Sequence, residues 1–74
     1  MKTIKVVYKC RMCGKNFTSN QIKSLYDTRD IIRKLCEKKE LEINYNKIYR
    51  YSIHECNENI SGFADFIGCV ECED

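Results

Sequence analysis

The sequence has 74 residues, the size of one domain, and a chain this short rarely buries enough apolar surface to fold without a metal or cross-links. Six cysteines are the candidates for that role, and a net charge of +2 gives no strong preference for an acidic or a basic partner. No apolar run approaches the roughly 20 residues needed to cross a bilayer, so we expect no membrane-spanning segment.

Residues 3–10 predict a strand, because apolar and polar side chains alternate along them. Its apolar face would carry Ile4, Val6, Tyr8 and Cys10. Residues 11–15 predict a tight turn, in which Gly14 can take the positive φ that aims backbone amides at the cysteine sulfurs. Residues 17–25 predict a returning strand, which would complete an N-terminal hairpin.

Residues 28–40 predict one amphipathic helix. Asp27 or Thr28 is the expected N-cap, and Asp30 would lie in the positively polarised first turn. The apolar residues that recur at helical spacing are Ile31, Ile32, Leu35, Cys36 and, at the end, Leu41. The position of Cys36 on this stripe predicts a small core residue.

Residues 47–56 predict a further strand, because β-branched and aromatic residues alternate with polar ones. Residues 57–59 predict a turn and residues 63–70 a last strand. The expected fold is therefore a small α+β domain over residues 1–74, zinc-ribbon-like, with an order close to ββαββ and one amphipathic helix.

Cys10 and Cys13 form a C-x-x-C pair followed by glycine, which is typical of one half of a structural zinc site. The start of the sequence carries no signal-peptide pattern, so we expect a reducing cytoplasm, where such pairs more often hold metal than form disulfides. A thioredoxin-type redox dithiol is the alternative. It requires a helix directly after the motif within a βαβ pattern, and the predicted elements supply neither.

Two candidates exist for the second half of the site. Cys69 and Cys72 repeat the C-x-x-C spacing, but no glycine follows them and they lie near the end of the sequence, where chains tend to fray. His54 and Cys56 are two residues apart in a predicted strand, so their side chains project from one face and can reach one ion. The residues alone leave both candidates open.

Three segments together resemble a known family: residues 8–17 (YKCRMCGKNF), 54–56 (HEC) and 60–68 (ISGFADFIG). They are similar to small, mostly uncharacterised proteins from phages and prophages of Gram-positive bacteria, which combine Y-x-C-x-x-C-G, a late H-x-C and G-x-A-D-x-x-G. The resemblance is loose in the helical middle of the chain. It implies that Zn²⁺ is held by Cys10, Cys13, His54 and Cys56. Cys69 and Cys72 lie beyond the family's motif.

Four protein ligands leave zinc no open position, so the expected site is structural and not catalytic. Its formal negative charge would be partly offset by Lys9, Arg11 and Lys15. Asp65 is a candidate acceptor for the second ring nitrogen of His54, although an ordinary turn or edge-strand aspartate is an equal interpretation.

No nucleophile and base pair, phosphate-binding loop or carboxylate pair stands out, so we expect no enzyme. The leading interpretation is a zinc-stabilised interaction module that presents Tyr49, Tyr51 or the helix surface to a protein partner. The resemblance to phage proteins implies a bacterial host cytosol and interference with a host process, such as a defence system.

A nucleic-acid-binding zinc ribbon is the rival interpretation. Six basic and no acidic residues lie within 1–26, whereas six acidic and no Lys or Arg residues lie within 53–74. The candidate phosphate contacts are Lys5, Lys9, Arg11, Lys15 and Arg50, with tyrosine or phenylalanine rings stacking on single strands. A metal that joins the two ends of the chain would also bring these opposite charges together, which explains the asymmetry without a nucleic acid.

Overall fold

Strands dominate the fold in the part of the chain that the computed structural model describes, residues 2–38 and 40–72. In chain order the elements are β1 (Lys2–Cys10), β2 (Asn16–Ser24), α1 (Thr28–Glu37), β3 (Glu40–Ile43), β4 (Asn46–Tyr49), β5 (Tyr51–Asn57) and β6 (Ile60–Cys72). This is a small α+β arrangement with one described helix, as the sequence predicts. The order is ββαββββ, because the region after the helix contains an additional hairpin.

The main sheet is antiparallel and has the strand order β2-β1-β6-β5. β1 is a central strand, with β2 and β6 as its neighbours, and β5 pairs along the first half of β6. Cys10 lies opposite Ala64, and His54 lies opposite Gly62. The end of β1 and the middle of β5 therefore flank the same stretch of β6.

The core lies on one side of this sheet, which we call the inner face. The predicted apolar face of β1 is buried as expected: Ile4, Val6, Tyr8 and Cys10 are at most 3% exposed. The helix and the β3–β4 hairpin contribute Ile31, Leu35, Ile43 and Ile48 to the same cluster. The Tyr8 hydroxyl donates to the Tyr49 carbonyl over 2.6 Å, which fastens β1 to β4. The opposite side of the sheet is the outer face.

Helix α1 begins where the sequence predicts. Asp27 is the N-cap, its side chain accepting from the Asp30 amide over 2.8 Å. The helix ends at Glu37, earlier than the predicted residue 40, and Lys39 lies outside the described residues. At ten residues, α1 is too short and too polar to cross a membrane, and no other described helix exists.

The apolar stripe of α1 is narrower than predicted. Ile31 and Leu35 are buried, whereas Ile32 is 36% exposed and Cys36 is exposed. The interpretation of Cys36 as a core residue is therefore wrong. Leu41 belongs to β3 and packs against the core from there.

The predicted strand over residues 47–56 is two strands, separated by a bend at Arg50. Its first part pairs with β3 in a hairpin that the sequence analysis missed. The hairpin turn places two non-glycine residues, Asn44 and Tyr45, at positive φ values of 51° and 67°. Such turns normally carry glycine, so this one lacked its usual sequence signal.

Candidate metal centre

Four side chains that the sequence singled out converge at one end of the inner face. The potential ligand atoms of Cys10, Cys13, His54 and Cys56 all lie within 4.8 Å of one another. The Sγ atoms of Cys10 and Cys56 are 3.6 Å apart, and His54 Nδ1 lies 3.4 Å from Cys13 Sγ and 3.5 Å from Cys56 Sγ. A zinc tetrahedron has edges of roughly 3.5–3.8 Å between such atoms. The cluster could therefore hold a metal ion.

The two halves of the cluster reach each other across β6. Cys10 ends β1 and Cys13 lies in the following turn, whereas His54 and Cys56 project from β5. β6 separates these strands in the sheet and places Gly62 beneath the cluster. A Cβ atom on Gly62 would lie 2.3 Å from Cys10 Sγ and 2.6 Å from Met12 Cβ. The absence of a side chain at this position lets the ligands meet.

The turn after β1 has the predicted geometry for a metal-binding knuckle. Gly14 has φ +75°, and its amide donates to the Cys10 carbonyl over 2.9 Å. Hydrogen bonding from the Cys13 backbone amide is the largest cause that lowers the pKa of the Cys10 thiol, to about 6. His54 and the Met12 amide lower this pKa further, whereas desolvation opposes the shift. The turn therefore stabilises a thiolate at Cys10 before any cation is bound.

The pKa of the Cys56 thiol is shifted in the opposite direction from that of Cys10. Burial, followed by hydrogen bonding to the thiols of Cys13 and Cys10, raises the pKa of the Cys56 thiol to about 12. Several thiolates cannot accumulate in this space without a compensating charge. A cation that replaces the thiol protons supplies that charge, so the donor set fits a bound metal.

The ring of His54 is oriented by packing. Its centroid lies 4.8 Å from that of Phe17 and the two rings are inclined by 18°, so the imidazole stacks on β2 with Nδ1 among the sulfurs. The sequence analysis did not identify this role of Phe17. Asp65, the predicted acceptor for His54, instead binds Arg11 through both carboxylate oxygens, at 2.6 and 2.7 Å.

Arg11 attaches the knuckle to β6. Its amide donates to the Phe63 carbonyl over 2.8 Å, and its guanidinium lies 4.8 Å from the centre of the Phe63 ring. The hydrogen bonds from Arg11 lower the pKa of the Asp65 carboxyl. Arg11, the first of the two residues between the knuckle cysteines, therefore makes three separate contacts with β6.

Cys69 and Cys72 do not join the cluster in the described part of the chain. They lie opposite Val6 and Thr3, toward the other end of β1 from Cys10. Cys69 packs against the core, and burial raises the pKa of its thiol to about 11. The structure thus brings together the Cys10, Cys13, His54 and Cys56 set and not the alternative set with Cys69 and Cys72.

The predicted phosphate contacts are distributed over different environments. Lys9 and Lys15 are exposed, whereas Lys5 and Arg50 are half-buried and Arg11 is paired with Asp65. The outer face of β5 and β6 instead exposes large apolar side chains. Tyr51, Ile53 and Phe63 are 47%, 75% and 47% exposed, and we call these three residues the outer patch.

Comparisons with protein-family models, curated proteins and solved structures find no match. The fold and the site together define a small α+β domain with a Cys₃His cluster that could hold a metal ion.

Proposed function

We propose that the chain is a small zinc-stabilised interaction module that binds a protein partner and catalyses no reaction. The Cys₃His cluster carries the first part of this proposal. Thiolate and imidazole ligands in a compact group of four suit Zn²⁺, and a tetrahedron filled by protein atoms has no position for a substrate. The role of zinc is to hold the knuckle and β5 on either side of β6.

The outer patch supports the second part. Exposed aromatic side chains and a neighbouring arginine are residue types that are enriched in protein interfaces. Tyr51 and Phe63 lie with ring centroids 4.9 Å apart, and Arg11 covers Phe63 from the other side. Contiguous exposed apolar groups of this kind mark partner-binding surfaces. The resemblance to phage proteins leads us to propose a protein in the cytosol of a bacterial host as this partner.

The nucleic-acid alternative receives less support from the charges. Arg11, a candidate phosphate contact that lies against the exposed Phe63 ring, is neutralised by its two hydrogen bonds to Asp65. The redox alternative uses Cys10 and Cys13 alone, whereas the Cys10 sulfur also lies 3.6 Å from the Cys56 sulfur. The redox alternative also leaves the convergence of His54 and Cys56 on the two knuckle cysteines unexplained.

The zinc site is tested by native mass spectrometry of the purified chain and of two variants. We expect bound zinc in the wild type and in Cys72→Ser, and loss of zinc in His54→Ala. Retention of zinc by His54→Ala together with its loss from Cys72→Ser would show that the ligand set is wrong. Zinc-free wild-type protein with a reversible Cys10–Cys13 disulfide would support the redox alternative.

The binding surface is tested with Phe63→Ser and, as a matched control, Val70→Ser. Both residues are about half exposed on the outer face of β6, but only Phe63 belongs to the outer patch. In-cell crosslinking should capture the same partner with the wild type and Val70→Ser and lose it with Phe63→Ser. Salt-sensitive binding of single-stranded DNA or RNA that a Lys9→Glu/Lys15→Glu variant abolishes would instead favour a nucleic-acid function.

A further inference from the structure

The edge of β5 is open to a further strand. β5 is the last strand of the sheet order β2-β1-β6-β5 and pairs with β6 alone among the described strands. Its pairing with β6 is regular from Tyr51 to Glu55, and the register shifts only beyond that point. Neither a proline nor a lysine lies within β5 to discourage pairing at this edge.

The register shows which backbone groups point outward. The Phe66 amide donates to the Arg50 carbonyl over 2.9 Å, and the β5–β6 pairs follow the same register. Hydrogen-bonded pairs alternate along an antiparallel ladder, so Ser52 and His54 exchange bonds with β6. The amides and carbonyls of the intervening residues, Tyr51, Ile53 and Glu55, therefore point away from the sheet.

The opposite edge of the sheet is protected. The side-chain amide of Asn44, from the β3–β4 turn, donates to the Lys23 carbonyl on the outer edge of β2. The β1–β2 register also shifts between Lys5 and Val7, because β2 has one more residue than β1 in this stretch. Irregular pairing and a covered carbonyl both discourage addition of a strand. β5 has neither of these features along its regular part.

We propose that two copies of the chain pair through β5, antiparallel and about a two-fold axis at Ile53, and so join their sheets into one. The outward groups are symmetric about Ile53, so this register pairs every one of them with a group of the second copy. Tyr51 of each copy lies opposite Glu55 of the other, and no like charges face each other directly. The outer patches of the two copies become neighbours.

This pairing goes beyond the proposed function, because it requires no other protein and leaves the outer face accessible. It also uses the zinc ligands indirectly. His54 and Cys56 lie in the same strand as the outward groups, so the metal that fixes these residues also fixes the pairing edge. A single strand pair is a small interface, and we expect a reversible, concentration-dependent dimer.

Sedimentation equilibrium of the zinc-loaded chain tests whether two copies pair through the β5 edge. We expect a dimer that forms as the chain concentration rises toward millimolar and is lost in Ile53→Lys. Ile53→Pro removes an outward amide without removing a β5–β6 hydrogen bond, and should also be monomeric with its zinc retained. Val70→Lys places the same charge on β6 and should dimerise as the wild type does. A wild type that stays monomeric at millimolar concentration overturns the proposal, as does a dimer that survives Ile53→Lys.

The register is tested by opposite charges at one position. Tyr51→Lys and Tyr51→Glu remove the same ring. The new lysine would attract Glu55 of the other copy, whereas the new glutamate would repel it. We expect the dimer dissociation constant of Tyr51→Glu to exceed that of Tyr51→Lys several-fold, and Glu55→Gln to abolish this difference. Equal constants for the two variants would overturn the register. Zinc content, measured on the same samples, separates failure of the dimer from failure of the metal site.

Discussion

Gly62 is the residue on which the approach of the two halves of the metal cluster depends. The direction in which a Cβ would point at this position is already occupied by Cys10 Sγ and Met12 Cβ. Neither atom can move away freely. Cys10 is buried at the end of β1, and Met12 follows Arg11, whose amide donates a hydrogen bond to the Phe63 carbonyl. The requirement for glycine is therefore steric.

The variant Gly62→Ala should weaken zinc binding by about fivefold to a hundredfold, because overpacking of this kind costs about 1–3 kcal/mol. Competition with a calibrated zinc chelator measures the effect. Gly68→Ala is the matched control, because a Cβ at Gly68 on the same strand would meet no heavy atom within 4 Å. Equal zinc affinities for the two variants would show that the close approach at Gly62 carries no cost.

The pairing of Asp65 with Arg11 predicts a specific pH dependence. Because Arg11 lowers the pKa of the folded Asp65 carboxyl, the pair stabilises the fold above the ordinary carboxyl pKa. This contribution is lost as the pH falls from that value through the lowered one. Asp65→Asn should therefore lower the melting temperature by the same modest amount at pH 7 and at pH 5.

Thermal unfolding of the zinc-loaded wild type and of Asp65→Asn at the two pH values provides the measurement. Asp30→Asn is a suitable reference, because Asp30 forms a longer ion pair of 3.7 Å with Arg33 on the exposed side of the helix. A difference for Asp65→Asn that grows between pH 7 and pH 5 would mean that the carboxyl pKa is raised in the folded state and not lowered.

At the scale of the elements, α1 is held by a narrow row of side chains. Leu35 is 1% exposed, so Leu35→Ala should lower the free energy of unfolding by about 2–5 kcal/mol. Ile32→Ala removes a similar side chain from a position that is 36% exposed, and its cost should be much smaller. Urea unfolding of the zinc-loaded variants measures both, and equal losses would contradict the observed orientation of the helix.

The elements that the sequence predicted are those defined by local patterns. Alternation along β1 identified its buried face, and Asp27 marked the start of α1. The width of the helical stripe was not predictable in the same way, because the exposure of Cys36 depends on which neighbours cover the helix. The β3–β4 hairpin escaped prediction because Asn44 and Tyr45 adopt positive φ without glycine.

At the scale of the whole molecule, the sequence predicted the two residue pairs of the cluster. It did not predict where in the sheet these pairs would meet. The two-residue period of a strand put His54 and Cys56 on one face, and the knuckle motif identified Cys10 and Cys13. Non-local pairing decided the rest. Only the position of β6 between β1 and β5 shows why Gly62 matters and why Arg11 meets Asp65.

The sheet order also explains the charge asymmetry along the chain. Basic β1 lies beside β6, so Lys9 faces Asp65 in the pairing register and Arg11 binds the same carboxylate. Part of the basic end is therefore complementary to the acidic end of the same molecule. Positive charge in the first part of the sequence does not require a nucleic-acid partner.

The metal should be essential for the stability of the domain. A chain of this size rarely gains more than about 3–5 kcal/mol from its core, whereas structural zinc contributes about 10–16 kcal/mol of apparent binding free energy. Excess chelator should therefore abolish the cooperative thermal transition seen by circular dichroism, and added zinc should restore it. Cys36→Ser/Cys72→Ser removes two thiols outside the cluster and should respond as the wild type does. An unchanged melting temperature in chelator would contradict a structural role of the metal, because the core alone would then hold the knuckle against β6.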